Sequence, residues 1–572
     1  MKTINKFNDY LLLGGIIFII CLIVFKPWQH ALSLPYTYQS DSHFTQMFIK
    51  NQITSGKFWY SNQLSLPGEQ NMLDFPSAQV FLYGLITFIG LFTKNHFLIF
   101  NIFFLSGFFL SGFSAYFVLR QMKFNKYYSY LSALVFSFLP YHFAHGSIHI
   151  FLSHYFVIPL AFLISYWILF SKTVKHQLWW VLLIGILIGS NGIYYAYFSC
   201  LLTLFSFFII GLQKRITKQN LMLGSLFIVT TVVMIAMQLL PSIKYWAQHG
   251  KNNAVGHRVP AEAVLYGIKL RQLFIPLHDY NLSFLKEFTR EYKETPSSDM
   301  ENRQYLGLIG IFSVMICGLI FFDVNVLGKK SLKKENVHHY LSIKNWYFIF
   351  MMLVLVSMSY GGASMIAHII TPKIRAYGRI VPLLNFSLII IVLLFLQSWR
   401  EKIKQRKVFT FIVSLIFALS IFDGLKAYNP IKTRLIDDFY SDKNFMKQIE
   451  NNLPQGSAVY QLPYKDFPET PNLHKIGSYE LFKGYLHSKD LKWSYGSLVG
   501  RHVAGWQYDL STKEPEEQLE LMLERDFNGL YIDTYGYKDE GVSIVASFSA
   551  ILNSEPLVSE DKRLVFFDLT DY

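Results

Sequence analysis

Asp41, in the string Tyr38-Gln-Ser-Asp-Ser-His43, is the side chain best suited to chemistry. A carboxylate takes a proton from an attacking hydroxyl when it reaches that hydroxyl and its pKa suits. A structural role competes: Ser40 or Asp41 precedes a helical pattern (Phe44, Phe48, Ile49) and is a natural N-cap. Two further acids, Glu69 and Asp74, stand in Pro67-Gly-Glu-Gln-Asn-Met-Leu-Asp-Phe-Pro76. Asp74 is a second catalytic candidate and, just ahead of an apolar run, also a natural cap.

Lys373, Arg375 and Arg379 lie together in Thr371-Pro-Lys-Ile-Arg-Ala-Tyr-Gly-Arg379. A guanidinium matches a phosphate in a bidentate fork; anchoring to lipid head groups is the alternative. Arg271, with Lys269, is a further candidate of the same kind. His142, His145, His149 and His154 recur at spacings of three, four and five. Zinc sites need three or four ligands in a fixed arrangement, and this spacing is no known signature. Phosphate or hydroxyl recognition at a polar mouth, or plain interfacial polarity, accounts for the series. Asn191, Tyr194, Tyr195 and Glu301 are further candidates for lining a substrate cavity. The sequence contains no phosphate-cradling glycine loop and no Gly-x-Ser-x-Gly elbow.

The elements that must position these residues are set by hydrophobicity. The 572 residues are 52% hydrophobic and 16% charged, against about 25% charged in soluble globular proteins. Uncharged runs such as Leu11 to Val24, Leu221 to Leu240 and Val381 to Leu396 are about the length that crosses a bilayer. A soluble enzyme, a secreted domain and a disordered chain are excluded. The net charge of +14 is a distribution effect. Segments 1–10, 120–128, 171–177, 213–219, 323–345 and 399–408 carry 20 of the 52 Lys and Arg and only four acids, leaving 32 basic against 34 acidic residues elsewhere. That is the positive-inside pattern, and it argues against a nucleic-acid partner. Cys21, Cys200 and Cys317 sit far apart in apolar spans and form no disulfide framework or metal motif. The first apolar run lacks a small-residue cleavage site and reads as a retained helix.

Parity fixes the topology. Every basic loop falls inside when residues 77–93 lie against the outer interface and do not span. Helices then cross at about 10–25, 98–119, 128–142, 152–170, 177–190, 193–212, 220–241, 306–322, 346–361, 380–398 and 409–427. The pair at 177–212 is short and turns at Ser190-Asn191-Gly192, which keeps its tip near or below the outer surface, with Asn191, Tyr194 and Tyr195 facing an outward cavity. The Lys373–Arg379 loop is then basic on the side where loops normally are not. The expected fold is a polytopic α-helical membrane protein of about 11 transmembrane helices, residues 1–427, with long outer loops 28–97 and 243–304. An extracytoplasmic α/β domain, residues 428–572, follows. Strands are expected at 458–463, 529–533 and 563–568, and helices at 442–452, 514–525 and 541–552, capped by Ser441 and by Ser511 or Thr512. No internal repeat is present, unlike many transporters.

This layout resembles the GT-C glycosyltransferase superfamily, which uses polyprenyl-phosphate sugars. Within it the chain resembles the bacterial proteins grouped as YfhO-like. The resemblance rests on Asp41, Gly56 with Trp59, Leu66-Pro67-Gly68, Asp74-Phe75-Pro76, Pro140-Tyr-His-Phe143 with His149, and Glu301 before Tyr305-Leu-Gly-Leu. In the tail it rests on Tyr460-Gln-Leu-Pro-Tyr464, Gly484-Tyr-Leu-His-Ser488 and Trp493-Ser-Tyr-Gly496. It implies that Asp41 is the general base, that outer arginines such as Arg375 and Arg379 hold the departing lipid phosphate, and that the anomeric carbon inverts. The partners it implies are a polyprenyl-phosphate sugar donor, an envelope glycan acceptor and membrane lipids, at a bacterial plasma membrane with the N-terminus cytoplasmic. The Lys-, Asn-, Ile- and Phe-rich composition fits a low-GC bacterial source. The chain lacks an Asp-x-Asp in the first outer loop and a Trp-Trp-Asp triplet, so the sequence assigns no metal site and leaves a divalent cation open as a cofactor. Two rival readings are a lipid-linked-sugar flippase and a non-catalytic scaffold binding envelope polymers through the tail. Charge-poor helices speak against the first; Trp493, Tyr495 and Trp506 serve the second only if they stack on sugars and not on a core.

Overall fold

The computed structural model describes residues 2–146, 148–171, 177–276, 287, 290, 304–322, 334–400, 403–425 and 431–572. Among these, six helices are long and apolar enough to cross a membrane: those containing Phe7–Phe25, His96–Gln121, Ile193–Leu212, Lys218–His249, Tyr377–Arg400 and Arg406–Leu425. The expected count of eleven also draws on shorter apolar helices, including Val157–Phe170, Leu178–Gly189 and Ser342–Ser357. The Tyr377–Arg400 span is 89% buried. A helix apolar all round is a central one, and this one forms the middle of the bundle.

The elements around the first long loop follow from local chemistry. Helix α1 (Lys2–Phe25) leads to α2 (Asp41–Ser55), which Gly56 ends with a left-handed φ of 71°, the usual glycine stop. Helix α3 (Val80–Ile89) has ten residues. That is about 15 Å, half the thickness of a bilayer's hydrocarbon core. Helix α4 (His96–Gln121) starts at Asn95, whose side chain accepts from the N–H groups of Phe97 and Leu98. The turn expected at 190–192 is present between helices Leu178–Gly189 and Ile193–Leu212. Gly192 takes φ 128° there, a conformation side chains resist. Phe81 N–H donates to Ser190 O at 3.1 Å, which ties α3 to the tip of this hairpin.

In the tail, a five-stranded sheet has the order β4-β3-β5-β7-β6, with β3 Ala458–Leu462, β4 Lys492–Trp493, β5 Phe527–Asp533, β6 Leu557–Val558 and β7 Leu564–Asp568. β3 is parallel to both β4 and β5, and β7 is antiparallel to β5 and β6. All of β3 is buried, as expected of a strand covered on both faces. Alternate residues serve two cores: Val459, Tyr531 and Phe566 pack into the cluster shared with the helical bundle, and Tyr460, Leu530 and Phe567 into a second cluster. The two short strands β1 (Tyr60–Ser61) and β2 (Gln70–Asn71) pair in the first long loop. That loop also covers the β4 edge: Leu64 bridges Trp493 in parallel, and Trp493 N–H donates to Gln63 O at 2.8 Å. Pairing removes the exposed edge. Trp493 is fully buried and Tyr495 nearly so, and the Trp506 ring stacks parallel to Phe527, so these aromatics serve packing.

The expected caps need correction. The helix holding 442–452 runs over Thr433–Asn452, so Ser441 is inside it and Lys432 precedes it. Ser511 closes the helix His502–Ser511, and Glu514 precedes Pro515–Leu523. Polar residues at such joints satisfy either helix end, and sequence alone does not say which.

Candidate functional site

A cavity of about 740 Å³ lies between α2, the loop ahead of α3, the hairpin tip, the arginine loop and the tail. Asp41, His149, Asn191, Tyr194, Tyr195, Arg375 and Arg379 all line it. Asp41 is the first residue of α2, following Ser40, which makes no side-chain cap bond. Its carboxylate thus sits at the positive end of the helix dipole. Its Oδ2 lies 3.1 Å from His149 Nδ1; an ionised Asp41 accepts the proton of that nitrogen. The carboxylate is about one-third exposed, within reach of a ligand.

Asn191 is buried, and its Nδ2 donates to His154 O at 2.8 Å. Among the described residues its buried Oδ1 has no hydrogen-bond partner. Tyr195 is held by its hydroxyl, which donates to Leu152 O at 2.8 Å. The Tyr194 ring carries the Arg379 guanidinium 4.3 Å from its centroid. Arg375 sits over Tyr266 at 5.1 Å, donates from Nη1 to Glu262 at 2.5 Å and from Nη2 to Glu469 at 3.2 Å. Burial works against its charge, but Glu469 and Glu262 outweigh that and hold the guanidinium above its ordinary range.

Other expected site residues go elsewhere. Asp74 forms a two-pronged ion pair with Arg501, Nε to Oδ2 at 2.6 Å and Nη2 to Oδ1 at 2.8 Å, and its side chain is 1% exposed. It is outside the cavity lining, and it does not cap α3, whose cap is Gln79. Its carboxylate is consumed in joining the first loop to the tail. His142 is fully buried, stacked 3.6 Å from Phe108, and His145 is buried beside Tyr141. Both sit on the helix Pro140–Gly146, whose faces pack into the bundle. His149 lies beyond that helix and is the member of the series that reaches the cavity. Lys373 donates to Gly256 O at 3.2 Å, and neither it nor Arg271 lines the cavity. Glu301 lies outside the described residues.

Arg258, Glu469, Tyr479 and Gln79 line the cavity unanticipated. Tyr479 stacks on Phe44 of α2 at 4.7 Å, and burial, with Asp41 and Glu469 nearby, pushes its hydroxyl pKa up. Among the described residues no group of three or more His, Cys, Asp or Glu could hold a metal ion.

The family model of DUF6311, a domain of unknown function, matches residues 85–424. No curated protein matches the chain. Among solved structures the chain is similar to the crystal structure of ArnT from Cupriavidus metallidurans bound to undecaprenyl phosphate, with 10% identity, TM-score 0.50 and 97% of each chain covered. It also matches the archaeal oligosaccharyltransferase AglB from Archaeoglobus fulgidus in complex with an inhibitory peptide and a dolichol-phosphate, with 12% identity and TM-score 0.42, covering 92% of this chain and 69% of that one. The end-to-end likeness to ArnT shows a shared fold.

Proposed function

We propose that this chain, which belongs to the DUF6311 family, is an integral membrane glycosyltransferase that moves a sugar from a polyprenyl-phosphate donor to a cell-envelope glycan on the outer face. One observation carries the reading: the Asp41–His149 pair and the guanidiniums of Arg258, Arg375 and Arg379 line a single cavity. The ArnT structure of the same fold holds undecaprenyl phosphate, which supports a lipid phosphate as the anionic ligand here.

In this reading the acceptor hydroxyl lies against Asp41, which takes its proton as the oxygen attacks the anomeric carbon. His149 keeps the carboxylate turned toward the cavity. The bond from that carbon to the phosphate oxygen breaks, and its electron pair leaves with the polyprenyl phosphate. Attack from the face opposite the leaving group inverts the carbon. The guanidiniums stabilise charge where it develops, fixed in advance by Glu262, Tyr266 and Tyr194, and preorganised charge of this kind is the largest catalytic term in many enzymes. The outer-face assignment, the crossing count of eleven and the division at residue 428 belong to the same proposal. The YfhO-like kinship belongs to it as well.

The test supplies purified protein with a panel of undecaprenyl-phosphate sugars and envelope glycan extracts. Appearance of free undecaprenyl phosphate together with glycan-borne sugar is expected for one donor. Wild-type protein that releases neither product from any donor, while undecaprenyl phosphate also fails to bind it, overturns the reading.

A further inference from the structure

Glu469 enters the cavity from the tail. Its Oε1 accepts from Arg258 Nη2 at 2.8 Å and from Arg375 Nη2 at 3.2 Å. One carboxylate oxygen thus joins two guanidiniums that stand 117 positions apart in the chain. Its backbone is in the left-handed region, φ 61°, as is that of Tyr479, φ 66°. Such a conformation costs a residue with a side chain on the order of 1–2 kcal/mol and persists when surrounding contacts hold it. The two residues are linked, since Glu469 N–H donates to the Tyr479 hydroxyl at 3.2 Å. The tail therefore spends backbone strain to place an anion on this wall.

Two guanidiniums converging on one oxygen bind a phosphate oxygen as readily as a carboxylate. Arg375 keeps Glu262 and Tyr266 when Glu469 leaves, so its position does not depend on the tail. The Glu469 side chain is 30% exposed, with a path to water. We propose that Glu469 is a displaceable counter-ion: it neutralises Arg258 and Arg375 until a polyprenyl phosphate group takes its place, and its departure releases tail segment 466–480. The inference rests on the lipid-phosphate reading above and adds to it a residue through which the tail senses donor loading.

The experiment measures binding of undecaprenyl phosphate to full-length protein in detergent micelles, for wild type, Glu469→Gln and Glu469→Ala. Hydrogen exchange over 466–480 is read with and without the lipid. Both variants should bind about tenfold more tightly, as when a contact that closes a site ~90% of the time is removed. Lipid should speed exchange over 466–480 in wild type and leave it unchanged in Glu469→Gln. Equal or weaker binding by the variants, or slower exchange in lipid-loaded wild type, overturns the proposal and makes Glu469 a plain support for the arginines. Wild type that binds no undecaprenyl phosphate at all removes the lipid-phosphate reading together with it.

Discussion

Replacing Lys483 by Met should loosen the tail. Its ammonium lies 3.0 Å from Asp442 and 2.9 Å from Glu480, with the lysine and aspartate side chains no more than 4% exposed. Arg563 continues the cluster, 3.5 Å from Glu480 and 2.5 Å from Asp533. The first loop contributes Tyr38, whose hydroxyl donates to Asp442 at 2.8 Å. Removing one partner of a buried ion pair costs about 3–5 kcal/mol, because the other charge stays buried. Asp442 retains Tyr38, and Glu480 retains Arg563, so the loss should fall near ~3 kcal/mol. That is a rise of about a hundredfold in the population of the opened tail. Hydrogen exchange of β3 and β5 amides reads it directly, since exchange reports local opening without requiring the whole chain to unfold in one step. Adding Asp442→Asn to Lys483→Met should recover part of the loss, as it removes the stranded charge. A change below about fivefold in Lys483→Met would refute the reasoning and show that water reaches the cluster.

Acid should destabilise the protein through buried histidines. Burial lowers His43 to about 3, and burial also holds His487 well below its ordinary value. The unfolded chain binds protons at these sites below about pH 6.5 and the folded chain does not, so stability falls with pH through that range by up to about 1.4 kcal/mol per histidine per unit. Melting in detergent should drop between pH 7 and 5, and less so in His43→Phe; a flat profile in wild type contradicts this. Asp74→Asn should lower the melting temperature by breaking the Arg501 pair while leaving donor binding within about threefold, a separation of effects that follows from their distinct sites; loss of binding at unchanged stability would return Asp74 to the cavity. Gly424→Ala would drive a Cβ into the Phe138 carbonyl oxygen, so that variant should yield little folded protein; normal yield and melting would contradict the close helix packing.

Some of the site is legible in the sequence. Asp41 stands out as a carboxylate soon after the first helix, and Arg375 and Arg379 as positive charge in a loop expected on the side where basic residues are rare. The hairpin break at 190–192 follows from a run too short for two full crossings, and it delivers Asn191, Tyr194 and Tyr195 to the cavity. The strands at 458–462, 527–533 and 564–568 follow from short apolar runs between turn residues. The histidine series misleads because spacing along the chain does not reveal which faces pack. His142 and His145 point into the bundle, and His149 lies past the end of their helix. Arg258 and Glu469 carry no local signal. Each sits in a loop without periodicity, and Glu469 joins Arg258 to Arg375 only through long-range folding. Arg258 thereby takes the place that proximity in sequence suggested for Lys373.

The central claim is that Asp41 is the base of a sugar-transfer reaction. Transfer from the productive donor, measured for wild type and Asp41→Asn beside undecaprenyl phosphate binding, tests it most directly. A positioned general base contributes about 10²–10⁴ in rate, so transfer should fall at least about a hundredfold while binding stays within about threefold. Asp41→Asn that folds, binds and transfers sugar as wild type does would contradict the account.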